Sequence, residues 1–372
     1  MKNKPKYQQI KEELLMRIAQ NINNPGYMLP SENQISNKFR VSRITAKAAL
    51  NELVKENLIY RIKGKGTFIM KQPYTSIEKP SQQLPFKAIG LIIPDTANKF
   101  TSDILLGADS FLRDNNFFLI TINTWHSQET EKQAIQNFVS IGIEGLIVFP
   151  VDNQLYNSEL LYLTLKKFPL VLIDRTLEGI NISTVKSNHV KDTCRAVDYL
   201  IKLGHKKIGL ISTSSFGTAT IKERIQGYEE AHKINNLPVN HKFILMQLLN
   251  YNDNWEEKLT AYFRETPEIT DFIGLNNDLT HKAVKDLKKL NKQIPKDISV
   301  IFYDNDLPFI SDYKHLVPMH IKQNSYEIGR RAAELIMQMI KYNKYNAETI
   351  ILDSELVTGT TVSKPKEEIN EI

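Results

Sequence analysis

Short apolar runs alternate with longer segments of helical periodicity from residue 88 onward. The apolar residues within each run are consecutive, which is typical of parallel strands that are covered on both faces. The repeated order of strand and helix predicts an α/β body. The runs are too numerous for one ordinary sheet, so we expect two doubly wound parallel-sheet lobes with a ligand in the cleft between them. The predicted strands are Ala88–Ile93, Phe117–Ile122, Gly145–Phe149, Leu170–Asp174, Ile208–Ile211, Phe243–Leu248, Phe272–Leu275 and Ser299–Tyr303, and the helical patterns cover 102–114, 128–141, 188–203, 218–235 and 279–290.

The chain divides into a head, a linker and this body. With 372 residues it is too long for one ordinary core. Residues 71–86 contain Pro, Ser and Gln without useful periodicity, which is typical of an extended tether. We therefore expect a small N-terminal domain at 1–70, a linker at 71–86 and the two-lobed domain at 87–372.

Composition narrows the class of protein. Hydrophobic residues make up 41% of the chain and charged residues 24%, as in an ordinary globular protein. No apolar run is long enough to span a bilayer, and the N-terminus has no apolar core of a secretory signal. We therefore expect a cytoplasmic protein with no membrane partner. The single cysteine, Cys194, excludes an internal disulfide and a cysteine-based zinc cluster.

Charge is distributed unevenly along the chain. Residues 1–72 contain 14 Lys and Arg against 5 Asp and Glu, a net charge of +9, whereas the whole chain carries +6. The remaining residues, 73–372, therefore carry −3. A basic head on a slightly acidic body indicates a polyanionic partner for the head alone.

The head has the pattern of three helices and a hairpin. Apolar residues recur at helical spacing over residues 6–20, which predicts a first helix. Ser31 is positioned to cap a second helix, and Ser42 to cap a third that runs to about Asn57. Two short apolar strands then flank Lys63-Gly64-Lys65-Gly66, whose glycines permit a tight turn.

The third predicted helix presents its polar residues away from its apolar stripe. Arg43 and Lys47 are four residues apart and project together, and an arginine fork can bind guanine with two hydrogen bonds. Ser42 and Thr45 are short hydroxyl donors that suit phosphate oxygens. The hairpin lysines can reach a minor groove beside this helix. We therefore expect a winged helix-turn-helix that binds double-stranded DNA.

The same segment resembles the DNA-binding domain of the GntR family. The resemblance rests on Leu29-Pro30-Ser31-Glu32, on Val41-Ser42-Arg43 with Thr45, and on Gly64 with Gly66-Thr67-Phe68. The chain has Asn33, Ala46 and Lys47 where the family usually has arginine, valine and arginine. The resemblance implies DNA contacts at Ser31, Glu32, Ser42, Arg43, Thr45, Lys47, Lys63, Gly64, Lys65, Gly66 and Thr67.

Polar residues follow the predicted strands of the body. The carboxyl ends of parallel strands meet at one edge of a sheet, where ligands of such folds bind. A helical arginine borders the same cleft, and an aromatic face such as that of Phe100 or Trp125 can stack on a sugar ring. Carboxylates, amides and guanidinium groups suit a polyhydroxylated ligand, because each hydroxyl both donates and accepts. The candidate ligand-binding residues are Asp95, Phe100, Asp174, Arg175, Arg224, Asn277 and Asp304.

Residues 87–363 resemble the effector-binding domain of the LacI family, which is similar to periplasmic sugar-binding proteins. The motifs include Ile89–Asp95, Asp174-Arg175, Arg224–Tyr228 and Asn277-Asp278. Phe302 stands where that family usually has glycine, and Asn276 is an additional residue. The resemblance implies an effector-binding and dimerisation domain with effector contacts at Asp174, Arg224, Asn277 and Asp304, and Gln323 lining the cleft.

A GntR-like head on a LacI-like body is similar to the arabinose-responsive repressors of Gram-positive bacteria. The resemblance implies a homodimeric repressor of sugar-utilisation genes that binds operator DNA and is released by a small sugar, with L-arabinose as the first candidate. Another pentose or hexose, or a ligand that acts as a corepressor, stays open at this point.

Two other classes of protein are less consistent with the sequence. An enzyme is disfavoured because the eight histidines form no metal-binding pattern and neither a phosphate loop nor a G-x-S-x-G motif occurs. We therefore expect no catalytic residues, no metal and no cofactor. A sugar-binding protein without a regulatory role fits the body alone and leaves the head unexplained.

Overall fold

The computed structural model describes a head and a two-lobed body. The described residues are 6–21, 27–55, 58–62, 64–69, 84–151, 157–177, 180–212, 218–246, 254–304 and 315–366. Residues 71–83 of the predicted linker lie outside them, as does Lys63. No helix within the described ranges is long and apolar enough to cross a membrane.

The head contains the three predicted helices and the predicted hairpin. Ser31 caps the second helix by accepting a hydrogen bond from the backbone N–H of Gln34, whose side chain in turn accepts from the backbone N–H of Ser31. Apolar residues of all three helices form one core with the hairpin. The helices are α1 (Lys6–Asn21), α2 (Glu32–Phe39) and α3 (Arg43–Lys55), and the strands are β1 (Met28–Leu29), β2 (Ile59–Ile62) and β3 (Gly66–Ile69), with β3 antiparallel to both others.

The first lobe is a six-stranded sheet in which every neighbouring pair is parallel. Apolar clusters cover both of its faces, as the consecutive apolar residues of its strands predict. The strands in chain order are β4 (Ala88–Ile93), β5 (Phe118–Asn123), β6 (Gly145–Val148), β7 (Leu170–Ile173), β8 (Ser183–Ser187) and β14 (Thr349–Leu352), and the spatial order is β14-β8-β7-β6-β4-β5. The helices are α4 (Lys99–Asp114), α5 (Gln128–Ser140), α6 (Ser158–Leu165) and α11 (Ser325–Tyr342).

The second lobe repeats this architecture, except that its last strand is antiparallel to its neighbour. The strands are β9 (Ile208–Ile211), β10 (Ile244–Leu245), β11 (Asp271–Gly274), β12 (Ser299–Tyr303), β13 (Met319–Lys322) and β15 (Glu355–Val357), in the spatial order β10-β9-β11-β12-β13-β15. The helices are α7 (His189–Lys202), α8 (Ala219–Ile234), α9 (Trp255–Glu265) and α10 (Asn277–Lys289). The predicted fold of two parallel-sheet lobes is confirmed.

The chain passes between the lobes at three places. It leaves the first lobe after β8, returns to it between β13 and α11, and leaves it again between β14 and β15. Ligand-dependent closure of the cleft would have to act through these short connections.

Several predicted boundaries shift in the structure. Helix α4 begins at Lys99 rather than at residue 102, because the Asn98 side chain accepts a hydrogen bond from the backbone N–H of Thr101. The described part of the predicted strand Phe243–Leu248 is reduced to β10, and residues 247 and 248 lie outside the described ranges. The sequence interpretation missed β1, β8, β13, β14 and β15, together with α6, α9 and α11.

Two glycines allow α4 and α11 to pack in the first lobe. A Cβ atom on Gly107 would lie 1.9 Å from the carbonyl oxygen of Tyr326, and one on Gly329 would lie 1.9 Å from that of Ile104. These backbones approach too closely for any side chain. Helix α11, which follows the second lobe in the chain, is thereby held against the first lobe.

The head contacts the first lobe through an apolar cluster. Tyr60, Ile62 and Phe68 of the hairpin pack with Leu161 of α6 and with Ile180. Leu161 is 1% exposed, so the hairpin covers an apolar side chain that points away from the core of the lobe.

His205 and Asp271 form a buried ion pair where strands β9 and β11 of the second lobe begin. His205 Nδ1 lies 3.0 Å from an Asp271 carboxylate oxygen and 2.8 Å from Thr270 Oγ1, and its Nε2 lies 2.8 Å from the carbonyl oxygen of Ser363. A carboxylate and a carbonyl only accept hydrogen bonds, so both ring nitrogens donate and the imidazole is cationic. Burial acts to lower the pKa of His205, but the hydrogen bond to Asp271 outweighs it and the pKa is raised.

This pair makes stability depend on pH. Because the folded pKa of His205 is raised, its contribution is complete below the unfolded value of 6.5 and is lost as pH rises through the folded value. Burial raises the pKa of Asp271, and the hydrogen bond and charge of His205 oppose that rise and favour the ionised carboxylate. We predict that His205→Gln lowers the free energy of unfolding by about 1–3 kcal/mol at pH 6 and by less at pH 9, as measured by thermal unfolding.

The matched control is His241→Gln, because His241 is exposed in the same lobe. This variant should unfold at the same temperature as the wild type at each pH. An equal destabilisation by His205→Gln at pH 6 and at pH 9 would contradict a cationic His205.

Candidate functional site

The first turn of α3 is exposed to solvent. The Ser42 hydroxyl accepts a hydrogen bond from the backbone N–H of Thr45 at 3.2 Å and lies 2.9 Å from the Thr45 hydroxyl, so it caps the helix. Arg43 and Lys47 are both exposed. The structure thus brings together the cations and hydroxyls that the sequence assigns to a recognition helix.

A network of charged side chains joins α2, α3 and the hairpin. One Glu32 carboxylate oxygen is hydrogen-bonded by Arg61, and the other lies 3.5 Å from the Arg43 guanidinium. Arg61 also donates to Asn51 Oδ1 at 3.1 Å. The hydrogen bond from Arg61 lowers the pKa of Glu32, which therefore stays ionised. We infer that the predicted DNA contact at Glu32 acts through the arginines that this carboxylate holds.

Sequence interpretation missed Arg61. It stands between two apolar residues of β2 and belongs to no DNA-binding motif that we noted. The sequence offers one signal for Arg61, because it is the single charged residue of β2. In the structure its neighbours Tyr60 and Ile62 are buried. Alternation along a strand therefore places its side chain on the opposite face from theirs.

The hairpin tip forms a wing beside α3. Gly64 and Gly66 have φ values of 77° and 140°, which disfavour any other residue, and a Cβ on Gly66 would lie 2.6 Å from Met28 Sδ. Lys65 lies between these glycines at the tip. Thr67 is 5% exposed, pairs with Arg61 across β2 and β3, and lines the same groove as Arg43 and Lys47, so it stays a predicted DNA contact.

Helices α2 and α3 and the wing enclose one open groove with a volume of about 970 Å³. Arg43, Lys47, Arg61 and Lys65 supply four cations to its lining, against the single carboxylate of Glu32. A groove with this charge and these hydroxyls suits a nucleic acid backbone.

A second site lies between the lobes, at the carboxyl ends of their strands. Asp174 follows β7 and Asp304 follows β12, with left-handed φ values of 64° and 62°. The backbone N–H of each donates to a neighbouring strand, at 2.9 Å and 2.8 Å. The two lobes therefore present one aspartate each in an equivalent and strained backbone position, as is common at ligand sites.

Asp174 is held among cationic and titratable groups. Its Oδ1 lies 3.6 Å from His189 Nε2, and its Oδ2 lies 3.7 Å from Arg175 Nε. Burial acts to raise the pKa of Asp174, but the contact with His189 and the charges of Arg175 and Arg224 outweigh it and lower the pKa. Asp174 is therefore an ionised acceptor at neutral pH.

The second lobe contributes a carboxylate, an amide and a guanidinium. Gln323 Nε2 donates to Asp304 at 2.7 Å. Arg224, on α8, donates to the carbonyl oxygen of Leu275 at 2.6 Å, and its guanidinium carbon lies 3.6 Å from the centre of the Tyr303 ring. The stacked ring fixes the orientation of the guanidinium.

His189 connects these two sets and was not predicted from the sequence. It is fully buried at the start of α7, and its Nδ1 lies 3.1 Å from the Tyr303 hydroxyl, opposite the contact with Asp174. Burial, together with the charge of Arg224, lowers the pKa of His189. A neutral ring is thus favoured, with one nitrogen that donates and one that accepts.

Polar atoms at this site lack partners. Asp174 Oδ1, Arg224 Nε, Asn277 Oδ1 and Gln323 Oε1 are buried and have no hydrogen-bond partner among the described residues. Buried polar atoms are nearly always paired in native proteins, so these atoms indicate a polar ligand. Within the same described part of the chain, no group of three or more His, Cys, Asp or Glu is arranged to hold a metal ion.

Asp95 and Phe100 have contacts within the first lobe, and both stay predicted ligand contacts. Asp95 accepts hydrogen bonds from the backbone N–H of Ala97 and the side chain of Asn98, which shapes the start of α4. Phe100 is half-buried and packs edge-on against Phe149, whose ring also carries the Arg175 guanidinium, so it stays a candidate stacking face. Trp125, just after β5, is 68% exposed and stays a candidate for stacking on a sugar ring.

The comparisons with known proteins match both the head and the body of the chain. Residues 6–69 match the model for bacterial regulatory proteins of the gntR family. Residues 86–359 match the model for periplasmic binding proteins and the sugar binding domain of the LacI family. Because the second match covers most of the chain, the protein belongs to this LacI and periplasmic-binding family, and it carries a gntR-type DNA-binding head.

Two relatives align with nearly the whole chain. An arabinose metabolism transcriptional repressor from Geobacillus stearothermophilus is 28% identical over 349 residues, which is 91% of this chain and 92% of the relative. A protein of the same description from Halalkalibacterium halodurans is 26% identical over 374 residues, with 98% of both chains covered. The crystal structure of the transcription regulator CcpA of Lactococcus lactis shares the fold, with a TM-score of 0.66 at 19% identity over 75% of this chain and 100% of that chain.

The geometry of the head predicts different effects for two of its cations. Arg43→Ala should weaken binding to a selected DNA site by about 1–3 kcal/mol and relax the base preference, because we expect the arginine fork to read a base. Lys65→Ala should weaken binding to all sequences similarly and reduce the salt slope by about 1, because we expect the wing to contact the DNA backbone. Fluorescence anisotropy over a salt series measures both quantities.

The control for both variants is Arg113→Ala, which removes a 76% exposed arginine of α4 far along the chain from the head. It should leave affinity and salt slope unchanged. If Arg43→Ala bound specific and random DNA with the same affinities as the wild type, α3 would not be part of the DNA interface.

Proposed function

We propose that the protein is a transcriptional repressor that binds operator DNA through its head and is released when a small sugar binds between the lobes. The buried polar atoms without partners support this most directly, because both lobes contribute them to one site. Repressors of arabinose metabolism with the same domain combination over almost the same length add support.

The charges of the cleft favour an uncharged ligand. The carboxylates of Asp174 and Asp304 are balanced by the guanidinium groups of Arg175 and Arg224. An anion would meet two carboxylates, and a cation two guanidinium groups. A polyol presents hydroxyls that donate to the carboxylates and accept from the guanidinium and amide groups, so a neutral sugar fits both kinds of partner.

Sugar binding is coupled to DNA binding through the relation between the lobes. A ligand that hydrogen-bonds to Asp174 and Asp304 at once holds the lobes in one relative position. A change in the position of the first lobe then reaches the wing through the apolar cluster of Tyr60, Ile62, Phe68 and Leu161. In a homodimer, two heads meet two half-sites of a symmetric operator, so a small change in head spacing weakens DNA binding.

The nature of the ligand is tested on a DNA complex. We expect L-arabinose to raise the dissociation constant for a selected operator roughly 5- to 150-fold, the usual range of such coupling. Anisotropy titrations with a panel of pentoses and hexoses measure this change. Tighter DNA binding with sugar would make the ligand a corepressor, and no effect of any pentose or hexose would reject sugar control.

The cleft is tested with Arg224→Ala, because Arg224 Nε has no hydrogen-bond partner within the described part of the chain and Arg224 lies on α8 of the second lobe. This variant should bind operator DNA normally without sugar and require roughly 10- to 100-fold more sugar for release, since a hydrogen bond from a charged group is lost. Arg264→Ala is the matched control, because this arginine is exposed on α9 of the same lobe. Loss of DNA binding in Arg224→Ala without sugar would instead assign Arg224 to folding.

A further inference from the structure

Ile44 is the most exposed large hydrophobic residue of the described chain, at 80%. It is the second residue of α3, directly after Arg43. The apolar face of this helix is already occupied, because Ala46, Ala49 and Leu50 are fully buried in the core of the head. Ile44 therefore adds nothing to the core, although nearby positions of α3 carry polar side chains.

The neighbours of Ile44 indicate what contacts it. Residues four apart lie side by side on a helix, so Ile44 stands beside Ala48, which is also exposed. Arg43 and Lys47 form the adjacent exposed row and line the cationic groove. An apolar strip beside a cationic strip suits a surface that presents an apolar group next to negative charge.

We propose that Ile44, with Ala48 beside it, reads the C5 methyl group of a thymine in the major groove. This methyl is the one apolar group that the edges of the base pairs present there. A protein partner would also bury an isoleucine, but the four cations of the groove favour a polyanion. The inference rests on the proposed insertion of α3 into DNA, and it adds a sequence preference that Arg43 and Lys47 do not supply.

The experiment separates the methyl group from every other feature of thymine. A preferred site is first selected from randomised duplex DNA with the full-length protein. Each thymine of that site is then replaced in turn by deoxyuridine, which lacks the methyl group and keeps the same hydrogen bonds. Binding of the wild type, Ile44→Ala and Ile44→Val is measured on every duplex.

One thymine in each half-site should respond. There, deoxyuridine should weaken wild-type binding about fourfold, the value of one buried methyl group. Ile44→Ala should weaken binding to the thymine duplex at least as much and show no further loss with deoxyuridine. Ile44→Val should fall between the two. Because Ile44 is exposed, folding should be unchanged, and equal thermal unfolding of the three proteins checks this.

The controls distinguish failure of this inference from failure of DNA binding itself. Ile234→Ala removes a 67% exposed isoleucine of α8 and should leave binding to all duplexes unchanged. If Arg43→Ala weakens binding but wild type and Ile44→Ala respond equally to deoxyuridine at every thymine, the role of Ile44 is overturned while α3 remains the reading helix. If no sequence is selected, or Arg43→Ala also has no effect, both proposals fail.

Discussion

His189 joins the two lobes at the first place where the chain passes between them. Its Nε2 lies 3.6 Å from Asp174 of the first lobe, and its Nδ1 lies 3.1 Å from the hydroxyl of Tyr303 in the second. The Tyr303 ring in turn carries the Arg224 guanidinium. These side chains are buried, so each polar atom requires a partner. The need to satisfy them makes the relative position of the lobes sensitive to a polar ligand.

The head depends on a comparable arrangement of charge. Glu32 holds Arg61 and contacts Arg43, so the distance from the wing to α3 is set before DNA arrives. Such preorganisation reduces the entropy lost when flexible arginines bind. The apolar contact between the wing and α6 then places this rigid head against the first lobe. The proposed coupling between DNA binding and ligand binding would pass through this apolar contact.

Local sequence patterns predicted most of the fold, and with the family motifs they named most of the polar residues that the structure places at the cleft. Consecutive apolar residues marked the central strands, and strand ends together with family motifs led to Asp174, Arg224 and Asp304. Strand β14 pairs with β8 in a register that joins Thr349 to Thr184, and no local periodicity encodes such a distant pairing. His189 was missed, because its role depends on the contact it makes across the two lobes. Helix α11 has a local helical pattern in its buried residues, but its place in the first lobe depends on the chain returning from the second.

In the proposed repressor one energetic coupling connects the cleft to the head, and linkage makes this coupling measurable from the sugar side. Isothermal titration of L-arabinose into the free protein and into its operator complex gives two dissociation constants. If sugar releases the protein from DNA, the complex must bind sugar more weakly, by the same factor by which sugar weakens DNA binding. Equal sugar affinities for the free protein and the complex would contradict the account, because a cleft that does not sense DNA cannot control it.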